Sequence, residues 1–506
     1  MLRTLYRGGA VYAPHLPAAT ALLVVDDRIA WLGNDADGQR HLDAADDVVD
    51  LDGALVTPAF VDAHAHVTET GLARSGVELS DATGVADALS RVERAARHTD
   101  GPVHGHGWDD RLWPERRPPT RTELDRAADG RAVYLSRVDV HSAVVSSAMA
   151  ERAGLAGLAG WSDDGRVERD AHHAARAAHR GALTPTDRAP LHAAALDAAA
   201  AAGIGCVHEM SAPHIVPPDD LGQLVRADHP VRVRPFRGAA VRNAGELAAV
   251  VAELNLPPDV PLAGLAGDLC VDGSIGSRTA AMRDPYADAD TRGHIYLDAG
   301  QVHDHLVICT GHGLPGGFHI IGDRALDMVL DGLLAAEADI GAAALRAVGH
   351  RLEHVELVDA DAIAVLARLG VTASVQPAFD AAWGGSEGMY ADRLGVDRAR
   401  ATNPFGDLHR AGVRLLFGSD SPVTPMDPWN GVAAAAQHHE PSQRLPVRAA
   451  IAASTESALA PGQPATFAVW SCDRLVDGLP DLAPGMPRPR CLRTVVDGRT
   501  AYKVLG

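Results

Sequence analysis

The chain has 506 residues, of which 46 are basic and 66 acidic, giving a formal net charge of −20 near neutral pH. This length can bury a large core and still carry an accessory domain. The acidic balance disfavours a nucleic acid or an anionic membrane as partner, because phosphate binding needs a basic face. No stretch is apolar enough to span a membrane, and the start lacks a signal-peptide pattern. Five scattered cysteines are typical of reduced thiols, so the sequence predicts a cytoplasmic protein.

The two ends of the chain share one pattern. Residues 1–56 and 461–506 consist of short β-branched runs separated by Asp-Gly and Gly turns, as in "TALLVVDDRIAWLG" and "RCLRTVVDGRTAY". Such runs predict antiparallel strands and hairpins. Two β-rich ends around a different middle predict one β-sandwich assembled from both termini.

The middle alternates short apolar runs with Ala-rich helical stretches, which favours βα units. Eight runs look like buried strands, and eight such units make a closed (β/α)8 barrel of the TIM type, an α/β fold. The runs are 59–64, 203–209, 231–236, 267–273, 315–321, 350–356, 371–376 and 413–420.

The first strand lies in the segment 57–70, and the rest of the barrel in 191–460. Between them, residues 71–190 are too long for a simple crossover and predict an inserted subdomain with its own strands. Thr120 and Glu123 have the spacing of a capping box that opens a helix. Insertions after a barrel strand often cover the active face as a lid.

The motif "VDAHAH" places His64 and His66 two residues apart at the end of the first strand, so both imidazoles point to the same side. Three more metal-binding side chains, His319, His354 and Asp420, follow at later strand ends. The carboxyl ends of barrel strands converge on one pocket. Four histidines and an aspartate there predict a site for Zn²⁺ or another divalent transition metal.

Motifs along nearly the whole chain carry a resemblance, in the order "TPAFVDAHAH", "HGHGWDDRLWP", "DGSIGSRTA", "HIIGDRALD", "RLEHVELVD" and "LLFGSDSPVTPMDP". The chain resembles the amidohydrolase superfamily, in the branch that includes N-substituted formamide deformylases. The resemblance implies a barrel with a β-sandwich from both termini and hydrolysis by a metal-activated hydroxide. It also implies a first metal site at His64, His66 and Asp420 and a second at His319 and His354.

One position departs from that family. Members with two metals commonly bridge them with a carboxylated lysine four residues before the aspartate that matches Asp272, where this chain has Asp268. The only lysine in the sequence is Lys503, near the end of the chain, so a carbamate bridge is excluded. Three interpretations stay open: Asp268 bridges two metals, one metal sits on the first site alone, or the site is degraded. The expected count is therefore one or two metals per subunit.

These residues predict a hydrolase of a small-molecule substrate, acting on an amide or N-formyl C–N bond outside peptides. Asp420 can touch both metal and water, so it is the candidate general acid and base. One alternative is a mononuclear deaminase of a cyclic amidine, although "HIIGD" lacks the acid of the HxxE pattern. Another is a non-catalytic scaffold, which typically loses metal ligands. The oligomeric state is open, with a homodimer as one candidate.

Four further side chains are candidates for contact with substrate. His141 can line the pocket from the insertion, and Trp108 can wall it or pack within the insertion. Asp272 and Arg278 are candidates for substrate binding or loop organisation. The pairs 172–173 and 438–439 are histidines in a polar helical context and are expected to be solvated.

Overall fold

The computed structural model describes residues 1–99 and 101–504. Seven regular parallel strands form most of a barrel. In chain order, the first, second, third, fifth, sixth, seventh and eighth barrel strands are Phe60–Ala65, Ile204–Ser211, Arg232–Arg237, Gly317–Ile320, Arg351–His354, Thr372–Val375 and Leu415–Phe417. The first three lie in the order third, second, first, and the last four lie in sequence order.

An irregular segment fills the fourth position and joins these two groups. Gly264 pairs with Phe236 of the third strand, and Leu265 pairs with Gly316 just before the fifth. On the other side, Ala65 pairs with Ser421, so the ring closes. The predicted (β/α)8 barrel is confirmed.

The expectation of a regular fourth strand over 267–273 is wrong. Pairing begins earlier, at Gly264, and the chain bends at Gly267, which has a φ of +90°. A Cβ atom at Gly267 would lie 2.7 Å from the sulfur of Met210, so only glycine suits this left-handed bend. The bend immediately precedes Asp268 and therefore helps to set the direction of that side chain.

Helices cover the outside of the barrel. From Thr184 onward they are Pro185–Ala201, Pro218–Leu224, Ala244–Glu253, Ala299–Gly311, Asp323–Ile340, Ala342–Val348, Ala360–Leu369, Pro377–Trp383, Met389–Leu394, Val396–Arg400, Phe405–Arg410, Pro428–Gln437 and Val447–Ala453. Leu326, Val329 and Leu333 recur at helical spacing and bury one face of their helix in the barrel core. Each such buried side chain contributes about 1.5–3 kcal/mol to stability. Within the described ranges, every helix is too short or too polar to cross a bilayer.

Both ends of the chain contribute to a second core. One sheet has the order Arg28–Gly33, Ala21–Val25, Arg3–Arg7 and Asp47–Asp50, and the other has the order Ala10–Val11, Leu55–Pro58, Phe467–Ser471, Arg490–Val496 and Arg499–Lys503. Leu55 pairs with Trp470, which brings the two ends into one sheet. The ring of Tyr6 meets Phe467 edge-on at 5.1 Å between the sheets. A two-stranded hairpin, Leu475–Val476 and Leu479–Pro480, follows.

The segment between the first and second barrel strands has a sheet of its own, in the order Arg166–Glu168, Ser142–Val145, Val133–Arg137, Val103–Trp108 and Val77–Glu78. Its helices are Val67–Ser75, Val85–Ala96, Arg121–Ala127, Ser147–Ala153 and Arg169–Arg180. Thr120 and Glu123 form the predicted capping box. We call Arg169–Arg180 the insert helix, since it packs its Ala171 and Ala175 against this sheet.

Candidate metal centre

The first barrel strand presents two buried imidazoles at its carboxyl end. His64 is fully buried, and its Nε2 atom lies 3.3 Å from Asp268 Oδ1 and 3.4 Å from Asp420 Oδ1. His66 directly precedes the helix Val67–Ser75, and its Nε2 atom lies 3.2 Å from Asp268 Oδ2 and 3.2 Å from Asp420 Oδ1. Two carboxylates therefore face two imidazoles across one small space.

The fifth and sixth strands bring a second pair of imidazoles to the same space. His319 Nδ1 lies 3.6 Å and His354 Nε2 lies 4.0 Å from Asp268 Oδ1. The two rings meet edge-on at 4.3 Å. Asp268 is thus the carboxylate that all four histidines share.

The donor atoms fit a metal ion. Buried His64 Nε2, His319 Nδ1, His354 Nε2 and Asp268 Oδ1 have no hydrogen-bond partner among the described residues. Unpaired buried polar atoms are costly, so four of them around one point need an explanation such as an ion. Nitrogen and carboxylate oxygen are suitable ligands for Zn²⁺. Burial alone would raise the pKa of Asp268, but the charge of the nearby His66 leads the effects that lower it, and the pKa lies well below the usual value.

Outer contacts fix the orientation of three of these rings. Glu353 Oε2 accepts a hydrogen bond from His64 Nδ1 at 2.8 Å, and Gln376 Oε1 accepts one from His354 Nδ1 at 2.8 Å. His319 Nε2 lies 3.2 Å from the carbonyl oxygen of Gly273. Because the outward nitrogen carries the proton, the inward nitrogen keeps its lone pair for a metal.

Glu353 and its partner Arg351 support the centre but are not among the residues predicted from sequence. Arg351 binds both oxygens of Glu353, at 2.5 and 2.9 Å, and both residues are buried. One sign of this pair was present in the sequence. Arg351 and Glu353 alternate on a strand that must be buried, where an unpaired charge would be very unfavourable.

Two candidate ligands have strained backbone conformations. His354 and Asp420 have φ angles of +69° and +54°, in the left-handed region that side chains disfavour. Such conformations cost about 1–3 kcal/mol each and persist where the surroundings impose them. Here they set the direction of two candidate ligands.

Two of the four predicted substrate-contact residues lie close to this centre, in different roles. The His141 ring is 5.1 Å from His319 and lines the same cavity. Asp272 is fully buried and accepts backbone hydrogen bonds from Ala281, Ile321 and Gly322 at 2.8–3.0 Å. It therefore organises the loop, and its oxygens are already used.

The other two do not meet the candidate ligands. Trp108 is fully buried in the core of the insertion, and its indole N–H donates to the Leu135 carbonyl at 2.9 Å. Arg278 pairs with Asp288 through two hydrogen bonds of 2.9 and 2.7 Å. Packing and loop pairing account for these two side chains, which is the second interpretation offered for each, and their contact with substrate stays a prediction.

The expectation of solvated histidine pairs is also wrong for two members. His172 is buried, with its Nε2 atom 2.8 Å from the Tyr134 hydroxyl. His438 is buried, with its Nε2 atom 3.4 Å from Asp380 Oδ1. The polar helical context concealed tertiary partners that are distant in sequence.

An aromatic wall borders the centre on one side. Phe379 is stacked parallel to His354 at 6.2 Å, and Trp383 lies 4.9 Å from Phe379. Both line one cavity with His141, His319 and Asp420. A bound molecule there would meet apolar rings next to the candidate ligands.

Comparison with known proteins agrees with this arrangement. The sequence profile of the amidohydrolase family matches residues 47–502. The chain is 26% identical to the N-substituted formamide deformylase of Arthrobacter pascens, across 96% of each protein. It is 25% identical to the putative amidohydrolase YtcJ of Bacillus subtilis (strain 168), across 93% of this chain and 95% of that protein. An uncharacterized metal-dependent hydrolase from Pyrococcus horikoshii OT3 superposes with a TM-score of 0.73 at 25% identity, over 94% of this chain and 99% of that one.

Proposed function

Because the chain belongs to the amidohydrolase family, we propose that it is a metal-dependent hydrolase of a non-peptide C–N bond, in an amide or an N-formyl compound. The observation that carries this proposal is the convergence of four imidazoles and two carboxylates on one buried space. The deformylase from Arthrobacter pascens provides the analogy for the N-formyl substrate class.

Six residues would hold the metal, Zn²⁺ being the preferred candidate. His64, His66 and Asp420 form one group of ligands, and His319 and His354 form another. Asp268 would bridge them in place of a carboxylated lysine, since its Oδ1 atom lies within 4.0 Å of one nitrogen from each group. When bound, the metal supplies a water of lowered pKa and polarises the scissile carbonyl.

Asp420 would move the proton during hydrolysis. Water oxygen forms a bond to the substrate carbonyl carbon, and the C–N bond breaks. Asp420 takes the proton that the water loses and returns it to the leaving amine nitrogen. His141 and the aromatic wall of Phe379 and Trp383 would orient the substrate and exclude bulk water.

We also propose a division of the chain into domains. We assign residues 1–56 and 461–506 to a composite sandwich, 57–70 and 191–460 to the barrel, and 71–190 to an inserted lid. Supporting this, the terminal sheets share one core and the insertion has a separate one. Residues 100, 505 and 506 lie outside the described part of the chain.

Metal content and amine release test the proposal together. Elemental analysis of wild type and Asp268→Ala, purified without chelator, should give about two ions falling to one or fewer. The exposed Asp163→Ala is the matched control. If wild type and Asp268→Ala both hold about one ion per subunit, the site is mononuclear and Asp268 is not a metal ligand. Absence of both metal and amine release, after Zn²⁺ supplementation and with N-formyl and N-acetyl alkylamines as substrates, would refute the proposal.

A further inference from the structure

The insert helix has an unusual buried face. His172, Arg176 and Arg180 recur at a spacing of four residues, and all three are at most 4% exposed. Buried faces of helices are normally apolar, and arginine is rarely buried unless it is paired. This face therefore points to a specific polar partner.

Only one of the two arginines is fully paired. Arg180 donates to both oxygens of buried Glu69, at 2.6 and 2.6 Å. Arg176 approaches the same carboxylate only to 3.7 Å, through its Nε atom. That Nε atom is buried and has no hydrogen-bond partner within residues 1–99 and 101–504. Two guanidinium groups thus share one carboxylate, and only that of Arg180 is hydrogen-bonded to it.

The neighbours of Arg176 connect it to the candidate metal centre. One turn earlier on the helix, the His173 ring lies 4.5 Å from His214. His214 Nε2 lies 3.9 Å from the sulfur of Cys270, which pairs with His319. Burial first, and then the charge of Arg176, lowers the pKa of His173 to about 4. The imidazole of His173 is therefore neutral near pH 7 and can donate a hydrogen bond to an anion.

We propose that Arg176 binds a carboxylate of the substrate, so that the scissile amide belongs to an acidic molecule. An arginine fork matches a carboxylate in charge and in two-point geometry. A carboxylate bound here would accept the hydrogen bond that Arg176 does not make to Glu69. This inference rests on the proposed function, because it names the substrate class of the same site.

Paired substrates test the inference. N-Formyl-β-alanine and N-formylpropylamine have the same reacting group and differ in a terminal carboxylate. The N-formyl derivatives of glycine and 4-aminobutyrate vary the distance between the formamide and the carboxylate. We expect wild type to prefer the acidic members. Arg176→Gln should lower kcat/KM for them by about ten- to a hundredfold, the effect of losing a charged hydrogen bond, and change the neutral member less than threefold. Arg176→Lys should have a kcat/KM for the acidic substrates between those of wild type and Arg176→Gln, because lysine keeps the charge and loses the two-point geometry of the guanidinium group. Arg94→Gln, at an exposed position, should match wild type.

A binding measurement separates this inference from the proposed function. Titration of the metal-loaded protein with glutarate, by calorimetry, should show at least tenfold weaker binding to Arg176→Gln than to wild type. Equal glutarate affinity and an unchanged preference for acidic substrates in both Arg176 variants would overturn the inference. Arg176-dependent glutarate binding without any amide hydrolysis would instead remove the proposed function and leave the carboxylate site standing.

Discussion

The substitution Glu353→Gln tests how the barrel supports its metal ligands. Glu353 is fully buried and accepts from His64 Nδ1 at 2.8 Å, while Arg351 holds it from the other side. Glutamine keeps the shape and loses the charge, so it weakens the hold on His64. Loss of an outer partner of this kind costs about 10- to 100-fold in metal affinity. That range corresponds to about 1.4–2.8 kcal/mol.

A competition titration with a chromogenic chelator measures this affinity directly. Wild type, Glu353→Gln and the exposed control Glu151→Gln are compared after metal removal and reloading. Denaturant unfolding of the metal-free proteins runs alongside, because an unpaired buried Arg351 should lower stability by about 3–5 kcal/mol. A folded Glu353→Gln protein that binds Zn²⁺ within twofold of wild type would refute the positioning role of Glu353.

Three other substitutions have clear expected outcomes. Gly267→Ala should reduce metal content, because its Cβ atom would meet Met210 at 2.7 Å and displace the neighbouring ligand; unchanged content by elemental analysis would contradict this. Trp108→Ala should destabilise the protein by about 3–5 kcal/mol in urea unfolding and leave the KM of the metal-loaded enzyme unchanged, whereas a raised KM would show Trp108 to be a substrate contact. Arg117 holds the pKa of Glu123 at about 2 instead of 4.5, so the stabilisation from this pair is complete above about pH 4.5 and is lost as the pH falls towards 2. Acid titration of Arg117→Gln should show a smaller loss, because hydrogen bonds from Thr120 also lower this pKa and remain in the variant, and a curve identical to wild type would contradict the assignment.

The barrel and the candidate ligands could be predicted from sequence because each depends on local spacing. His64 and His66 are two residues apart at the end of one strand, and the fold class sets where strand ends meet. The apolar runs predict the positions of the barrel strands, except for the fourth, where the chain bends at Gly267. There the left-handed bend depends on close approach to Met210, a contact that local sequence does not contain.

The surroundings of the centre depend on contacts between distant residues, and these could not be predicted. Glu353 contacts His64 across 289 positions of sequence, and Arg180 contacts Glu69 across 111. Trp108 is equally suited by type to a pocket wall or to a core, and only the packing of the insertion favours the core. A polar helix such as 169–180 looks solvated until its partners are placed beside it.

The pairing of Leu55 with Trp470 has a consequence for the order of events during synthesis. The strand Leu55–Pro58 leaves the ribosome early, but one of its two neighbours is more than four hundred residues away. At about 5–20 residues per second, that neighbour emerges roughly 20–80 s later. Throughout this interval one edge of Leu55–Pro58 is open to pairing with other chains. The nascent protein therefore carries an open strand edge, where other chains can pair, until Phe467–Ser471 is made.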